Sequence, residues 1–409
     1  MALNYIWISF LLIAVAVAAA QAVMGDLAPL GAVMDSMFSS AKSGFEISIG
    51  LTGVLALWLG FLKIAERSGV IGALSRMVAP FFAEIFPGVP KGHPAMGNIF
   101  MNFSANMLGL DNAATPLGLK AMEELQSLNP KKDTATDAMI MFLVLNTSGL
   151  TLIPITVMTY RAQFGAANPS DVFLPILIAT YTSSLVGLIA VAVKQRINLL
   201  KRAVILPLTV MTAVIAALLL WFASIDPDTQ RVASNVITYT TLLGIVSSFV
   251  IAGLIKKVNV YEAFVDGAKE GFKVAVGIIP YLIAILVAIG MLRASSALEW
   301  LLGGIEWLVS LCGIDTRFVD ALPTAILKPL SGNGARGMML DTMTALGPDA
   351  FASKVSCIML GATDTTFYIL SLYFGSVGIT KMRYALPCGL IADAAGLLMA
   401  IFVGYLFFG

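Results

Sequence analysis

The chain alternates long apolar runs with short polar punctuation. Runs of about 20 apolar residues match the hydrocarbon thickness of a bilayer. The pattern predicts spanning helices over 4–24, 44–63, 138–160, 172–193, 203–224, 235–255, 272–292, 353–375 and 385–408. No period-two alternation recurs at the roughly ten-residue spacing of a membrane barrel, so helices are the spanning element. Two stretches, 69–125 and 296–346, are too polar and too often interrupted by Gly and Pro for simple spans. Each opens with an amphipathic piece, Val70–Phe86 in the first and Ala297–Cys312, with Trp300 and Trp307, in the second. Such pieces favour the membrane interface, and the rest of each stretch reads as a re-entrant hairpin. The expected fold class is all-α, a polytopic membrane protein.

The two halves of the pattern repeat. Ala41-Lys42-Ser43-Gly44-Phe45 returns 227 residues later as Ala268-Lys269-Glu270-Gly271-Phe272. The same offset pairs Gly50 with Gly277 and Ser104-Ala105-Asn106 with Ser331-Gly332-Asn333. Each half reads as two spans, an amphipathic piece, a hairpin and two more spans. The extra span 203–224 turns the second half over. The prediction is two inverted-topology repeats, over 1–200 and 231–409, joined by a linking helix in 201–230. Many secondary transporters have this layout, with the site near the midplane where broken helices meet.

Composition excludes several alternatives. Of 409 residues, 58% are hydrophobic and 12% charged, against about 25% charged in soluble domains, so the bilayer is the first partner. A net charge of +1 gives no footing for nucleic acid. Lys194, Arg196, Lys201 and Arg202 mark the cytoplasmic face, as basic loops do in a bacterial inner membrane. Counting outward puts the N-terminus, Lys63, Arg67, Lys131, Lys132, Lys256, Lys257, Lys381 and Arg383 on that side, and Asp226-Pro227-Asp228 and the 26–35 segment opposite. The first apolar run ends Ala18-Ala19-Ala20-Gln21-Ala22, like a signal peptide. No Lys or Arg precedes it and it is of spanning length, so it reads as a retained helix. Cys312, Cys357 and Cys388 form no C-x-x-C pair and read as small buried hydrophobes, and the lone His93 suits a turn. No metal or cofactor is expected. No nucleophile elbow, H-E-x-x-H or phosphate loop is present, so an enzyme is not expected; an acid pair of Asp364 with Asp111 is the weakest reading.

Polar groups within apolar sequence are the candidate chemistry, because an unpartnered polar group in hydrocarbon is costly. One cluster is Asn102-Phe103-Ser104-Ala105-Asn106 followed by Gly109, Asp111 and Asn112, either a site or a capped turn. A second is Ser331 and Asn333 between Lys328 and Arg336, either a hairpin tip or, with Asp341, an ion-paired surface loop. A third and fourth, Asn146-Thr147-Ser148 and Thr363-Asp364-Thr365, sit mid-span at matching places in the two halves. Hydroxyls often bond back to the helix, but Asp364 is the single charge in the interior of its span, with Lys354 at the span's end. Asp364 and Asp393, without a matching Lys or Arg in the interior of a span, point to a cation or proton as the coupling partner of a small-molecule solute. Gly and Ala occur throughout, so a homo-oligomer stays open.

These motifs carry a resemblance. The stretch from Gly109-Leu110-Asp111-Asn112-Ala113-Ala114-Thr115-Pro116 to Met122 resembles the signature of spore maturation protein A, except that position 111 is Asp where Gly is expected. Thr363-Asp364-Thr365-Thr366-Phe367-Tyr368, Tyr373 to Gly378, and Ala385-Leu386-Pro387-Cys388 to Asp393 resemble spore maturation protein B. The chain thus looks like a fusion of the two, and both belong to the nucleoside-recognition (Gate) family. The resemblance implies a membrane protein that moves or senses a small, nucleoside-like solute. A channel, a lipid-handling protein and a non-transporting scaffold remain alternatives.

Overall fold

The computed structural model describes the backbone of residues 2–90, 92–109 and 111–409; the side chains of 2, 3 and 111–113 lie outside that description. Among the described residues there is no strand, only an isolated bridge between Thr134 and Lys381. The helices are α1 (Ala2–Val23), α2 (Ala28–Arg67), α3 (Val70–Ile85), α4 (Pro94–Met107), α5 (Asp111–Ser127), α6 (Asp137–Ser148), α7 (Ile155–Gln163), α8 (Phe173–Gln195) and α9 (Arg202–Ser224). They continue with α10 (Pro227–Ile255), α11 (Val260–Ala294), α12 (Ala297–Leu311), α13 (Leu322–Leu327), α14 (Gly332–Leu346), α15 (Phe351–Ala362), α16 (Thr366–Ser376) and α17 (Ala385–Phe408). Among the described residues, eight stretches are long and apolar enough to cross a membrane: α1, α2, α8, α9, α10, α11, α15 with α16, and α17. The protein is an all-α, multi-pass membrane protein.

Helix starts follow local chemistry. Pro94 opens α4, and His93 caps it by accepting from the Ala95 amide through Nδ1 at 3.2 Å. Thr136 caps α6, Asp226 caps α10 and Ser331 caps α14, each accepting a first-turn amide. Three expectations need correcting. The second span starts at Ala28 rather than 44, because Pro29 is tolerated in a first turn and no later Pro interrupts α2. The spans expected at 138–160 and 353–375 are both broken, at 149–154 and at 363–365. Cys357 and Cys388 are buried as expected, but Cys312 is exposed just past the end of α12.

The chain forms two compact units, and each takes segments from both sequence halves. The first comprises Met1–Trp58, Thr156–Pro169 and Ala268–Leu360. In it α2 and α11 pack antiparallel through glycine. A Cβ on Gly44 would lie 3.1 Å from Ile283 Cα, and one on Gly271 would lie 2.7 Å from Ala56 Cα. Gly271 follows Gly44 by 227 residues and Ile283 follows Ala56 by the same 227, so the two contacts are reciprocal. Trp7 Nε1 donates to Ala284 O at 2.9 Å and pins α1 to α11. The fully buried Arg161 donates to Pro348 O at 2.7 Å and pairs with Asp349 at 3.1 Å.

The second unit comprises Leu59–Ile155, Ser170–Gly267 and Gly361–Gly409. Its core is a run of aromatic contacts, Phe82 on Phe103 at 4.6 Å, Phe103 on Phe142 at 5.6 Å and Phe142 on Tyr373 at 6.0 Å. Helices α8 and α17 cross antiparallel. A Cβ on Gly187 would lie 3.1 Å from Ala392 Cβ, and one on Gly396 would lie 2.9 Å from Ser183 Cβ. These contacts are also reciprocal, now at an offset of 209. Hydrocarbon gives helices no hydrophobic reason to associate, so small residues that permit close dispersion contact hold such crossings. The Ser183 hydroxyl adds a bond to Ala392 O at 2.9 Å, worth on the order of 0.6 kcal/mol.

Candidate functional site

Within the second unit, two helix breaks meet. The first break follows α6. Gly149 takes φ +59° and ends the helix, as a left-handed C-terminal glycine does. The chain then runs without helix to Ile155. The second break is Thr363-Asp364-Thr365, between α15 and α16. The Asp364 amide donates to Thr147 O at 2.7 Å, giving one of the orphan carbonyls at the end of α6 its partner. A Cβ on Gly149 would lie 3.2 Å from the Asp364 amide nitrogen, tighter than most Cβ contacts, so glycine favours this approach.

The first hairpin, α4 and α5, closes on the same place. Asn102 Nδ2 donates to Ala114 O at 2.7 Å and ties the two arms together. Asn106 Nδ2 donates to Asn146 Oδ1 at 2.8 Å, and Asn146 Nδ2 donates to Phe142 O at 2.9 Å. The Leu152 amide docks the unwound segment on Met107 O at 2.8 Å. Gly109, at φ +74°, lets the hairpin tip approach Ile153 O. Beside the asparagine pair lies a cavity of about 110 Å³, lined by Phe82, Phe103, Asn106, Asn146, Gly149 and Tyr181 among others. The Tyr181 hydroxyl lies 2.6 Å from Thr212 Oγ1.

The structure brings together Asn106, Asn146, Thr147 and Asp364. Ser148 is fully buried and bonds back to Leu145 O, while Ser104 Oγ and Thr363 Oγ1 are buried without a hydrogen-bond partner. Thr365 is buried, and its amide donates to Asp364 Oδ1 at 2.7 Å. Asp364 is exposed although 363 and 365 on either side are buried. The carboxylate stands just before the first turn of α16, where the helix dipole favours negative charge. Asp393 is 1% exposed in α17, and its Oδ2 accepts from the Thr366 hydroxyl at 2.7 Å. The side chains of Asp111 and Asn112 lie outside the described residues. Ser331 and Asn333 belong to the first unit, where Ser331 caps α14 and Asn333 accepts from Arg336. The exposed ion-paired loop considered for that hairpin is not observed, because Asp341 pairs with Arg293 and Lys328 is buried. Sequence reasoning missed Tyr181 and the phenylalanine wall, which carry no motif; Asn102 stood in the sequence as the first residue of the polar cluster that runs to Asn106.

Comparison with known proteins agrees with this architecture. The family model described as nucleoside recognition (Gate) matches residues 48–164 and 275–380, together more than half of the chain. Spore maturation protein A of Bacillus subtilis (strain 168) is 43% identical over 186 residues, 46% of this chain and 92% of that protein. Spore maturation protein B of the same organism is 44% identical over 165 residues, 40% of this chain and 91% of that protein. No solved structure matches.

Proposed function

The chain belongs to the nucleoside recognition (Gate) family, and from that membership we propose that it is a non-enzymatic secondary transporter of a small polar, nucleoside-like solute. The observation that carries the reading is the meeting of two helix breaks at an accessible carboxylate, Asp364, among buried amides and hydroxyls. Irregular backbone at membrane depth is tolerated where it is buried in protein or lines a cavity, and discontinuous helices of this kind hold solute and coupling ion in transporters. The asparagine amides supply hydrogen-bonding edges, and the phenylalanine wall supplies a stacking face for a planar base. Asp364 and Asp393 are the groups for a coupling cation or proton. The reading includes an inverted repeat. Its support is the reciprocity of contacts at α2 with α11 and at α8 with α17, since equivalent residues on antiparallel helices exchange contacts about a two-fold axis perpendicular to them. The distribution of Lys and Arg supports a bacterial inner-membrane setting with the N-terminus cytoplasmic.

One observation favours a second reading, a membrane protein that binds a ligand or partner without transporting it. The cavity of about 110 Å³ is smaller than the roughly 300 Å³ at which small-molecule pockets begin. A closed transporter and a non-transporting binder both fit that volume. Purified protein, melted with nucleosides across pH and with and without sodium, separates them when paired with uptake into proteoliposomes. The transporter reading expects a nucleoside to raise the melting temperature by mass action, uptake of the same nucleoside, and loss of uptake in Asp364→Asn. Stabilisation without uptake would select the binder. No response to any nucleoside, with Asp364→Asn melting like wild type, would discard both uses of this site.

A further inference from the structure

The second hairpin, in the first unit, holds an arginine with no ion-pair partner among the described residues. Arg336 stands in the second turn of α14 and is partly buried. Its Nη1 donates to the neutral Asn333 Oδ1 at 3.4 Å, and its guanidinium carbon lies 5.8 Å over the Tyr160 ring. Its Nε is sealed from solvent with no hydrogen-bond partner. Among the described residues no carboxylate pairs with it. Other arginines of this unit are paired: Arg293 with Asp341 and Glu299, Arg161 with Asp349, and Arg317 with Asp315. Asp341, the carboxylate closest in sequence, receives Arg293 through both of its oxygens. The side chains of Arg336, Asn333, Tyr160, Tyr281, Leu282 and Ile285 border a small recess of about 10 Å³. That is about the space of one water. Tyr281, at its mouth, is 62% exposed.

We propose that this recess is the inner end of an anion site, where Arg336 receives an oxygen of a phosphate or carboxylate group whose remainder stands at the mouth. A guanidinium inside a membrane protein is expensive unless charge or hydrogen bonds compensate it. Here a cation–π contact, one long bond to an amide and a contact with the neutral Tyr160 hydroxyl compensate only in part. A planar guanidinium matches a two-oxygen anionic group, and the Tyr160 and Tyr281 hydroxyls are donors of the same polarity. The nearby N-terminus of α14 adds positive potential. The equivalent position in the first hairpin, 227 residues earlier, is Gly109. The two hairpins therefore differ in chemistry, with neutral amides in one unit and a fixed cation in the other. The proposal does not rest on the transport reading, because its residues lie in the other unit.

The test uses the detergent-purified full chain at constant ionic strength. Inorganic phosphate probes a free anion, and a phosphatidic acid in mixed micelles probes a lipid headgroup; melting temperature and equilibrium dialysis give the affinity. Wild type is expected to bind one of them saturably, at one per chain, and which one responds identifies the source. Arg336→Gln is expected to lower the affinity tenfold or more, while Arg317→Gln leaves it unchanged. Arg336→Lys keeps the charge but not the fork. It is expected to fold and to bind several-fold more weakly, which covers the case in which the Gln variant does not fold. A linear, non-saturable response in wild type overturns the site, as does wild-type affinity in Arg336→Gln or Arg336→Lys.

Discussion

Gly149 shows how much of the site rests on single residues. It combines a left-handed backbone with a Cβ position 3.2 Å from the Asp364 amide. Gly149→Ala meets both penalties. The left-handed conformation alone costs a residue with a Cβ about 1–2 kcal/mol, so the variant is expected to melt measurably lower and to bind solute less well. A melting curve identical to wild type would show that the two breaks do not need this approach. The glycine was legible in Asn146-Thr147-Ser148-Gly149 with Pro154 five residues on, a stop signal in an apolar run. The break at 363–365 has no Gly or Pro to announce it. Only the polarity of Asp364 marked the place, and polarity says that a residue needs a partner without saying that the helix unwinds. The bond between Asn106 and Asn146 joins residues 40 apart, and one sequence holds no record of such a pairing.

Among the elements, the loops before α6 and α17 are joined by main-chain bonds outside any helix. The Thr380 and Lys381 amides donate to Asp133 O at 3.0 and 2.9 Å, and the Ala135 amide donates to Lys381 O at 3.0 Å. The Asp133 carboxylate pairs with Lys381 at 2.7 Å, and that bond, with one from Thr134, holds its pKa below the ordinary 3.8. A carboxylate whose native pKa is depressed stabilises the native state above its unfolded pKa, and the contribution fades as pH falls through the native value. Asp133→Asn is therefore expected to melt below wild type near neutrality, with the gap closing in acid below pH about 4. A gap independent of pH would assign the effect to packing rather than charge. The long helices were only half legible. Asp35 and Lys42 looked like a connection, yet α2 runs through them because a helix surface tolerates charge; Lys42 pairs with Glu46 at 3.8 Å.

At the scale of the whole molecule, the helical spans were legible because they are written in long apolar runs. The grouping into units was not, since each unit is assembled from both halves of the sequence. A chain cut in the loop 196–201, between α8 and α9, tests this directly. Neither piece holds a complete unit. The two pieces are expected to co-purify when expressed together and to be degraded or to aggregate when expressed alone. A first piece that is stable by itself would mean that its contacts with the second contribute little.

The intertwining has a consequence for the cell. Two separate polypeptides with these contacts would be obligate companions, and any surplus of one would enter the membrane with its inner faces bare and become a target for quality-control proteases. Joining them through α9 makes supply one to one at every level of expression, so matched dosage is set by the covalent chain and not by the regulation of two messages.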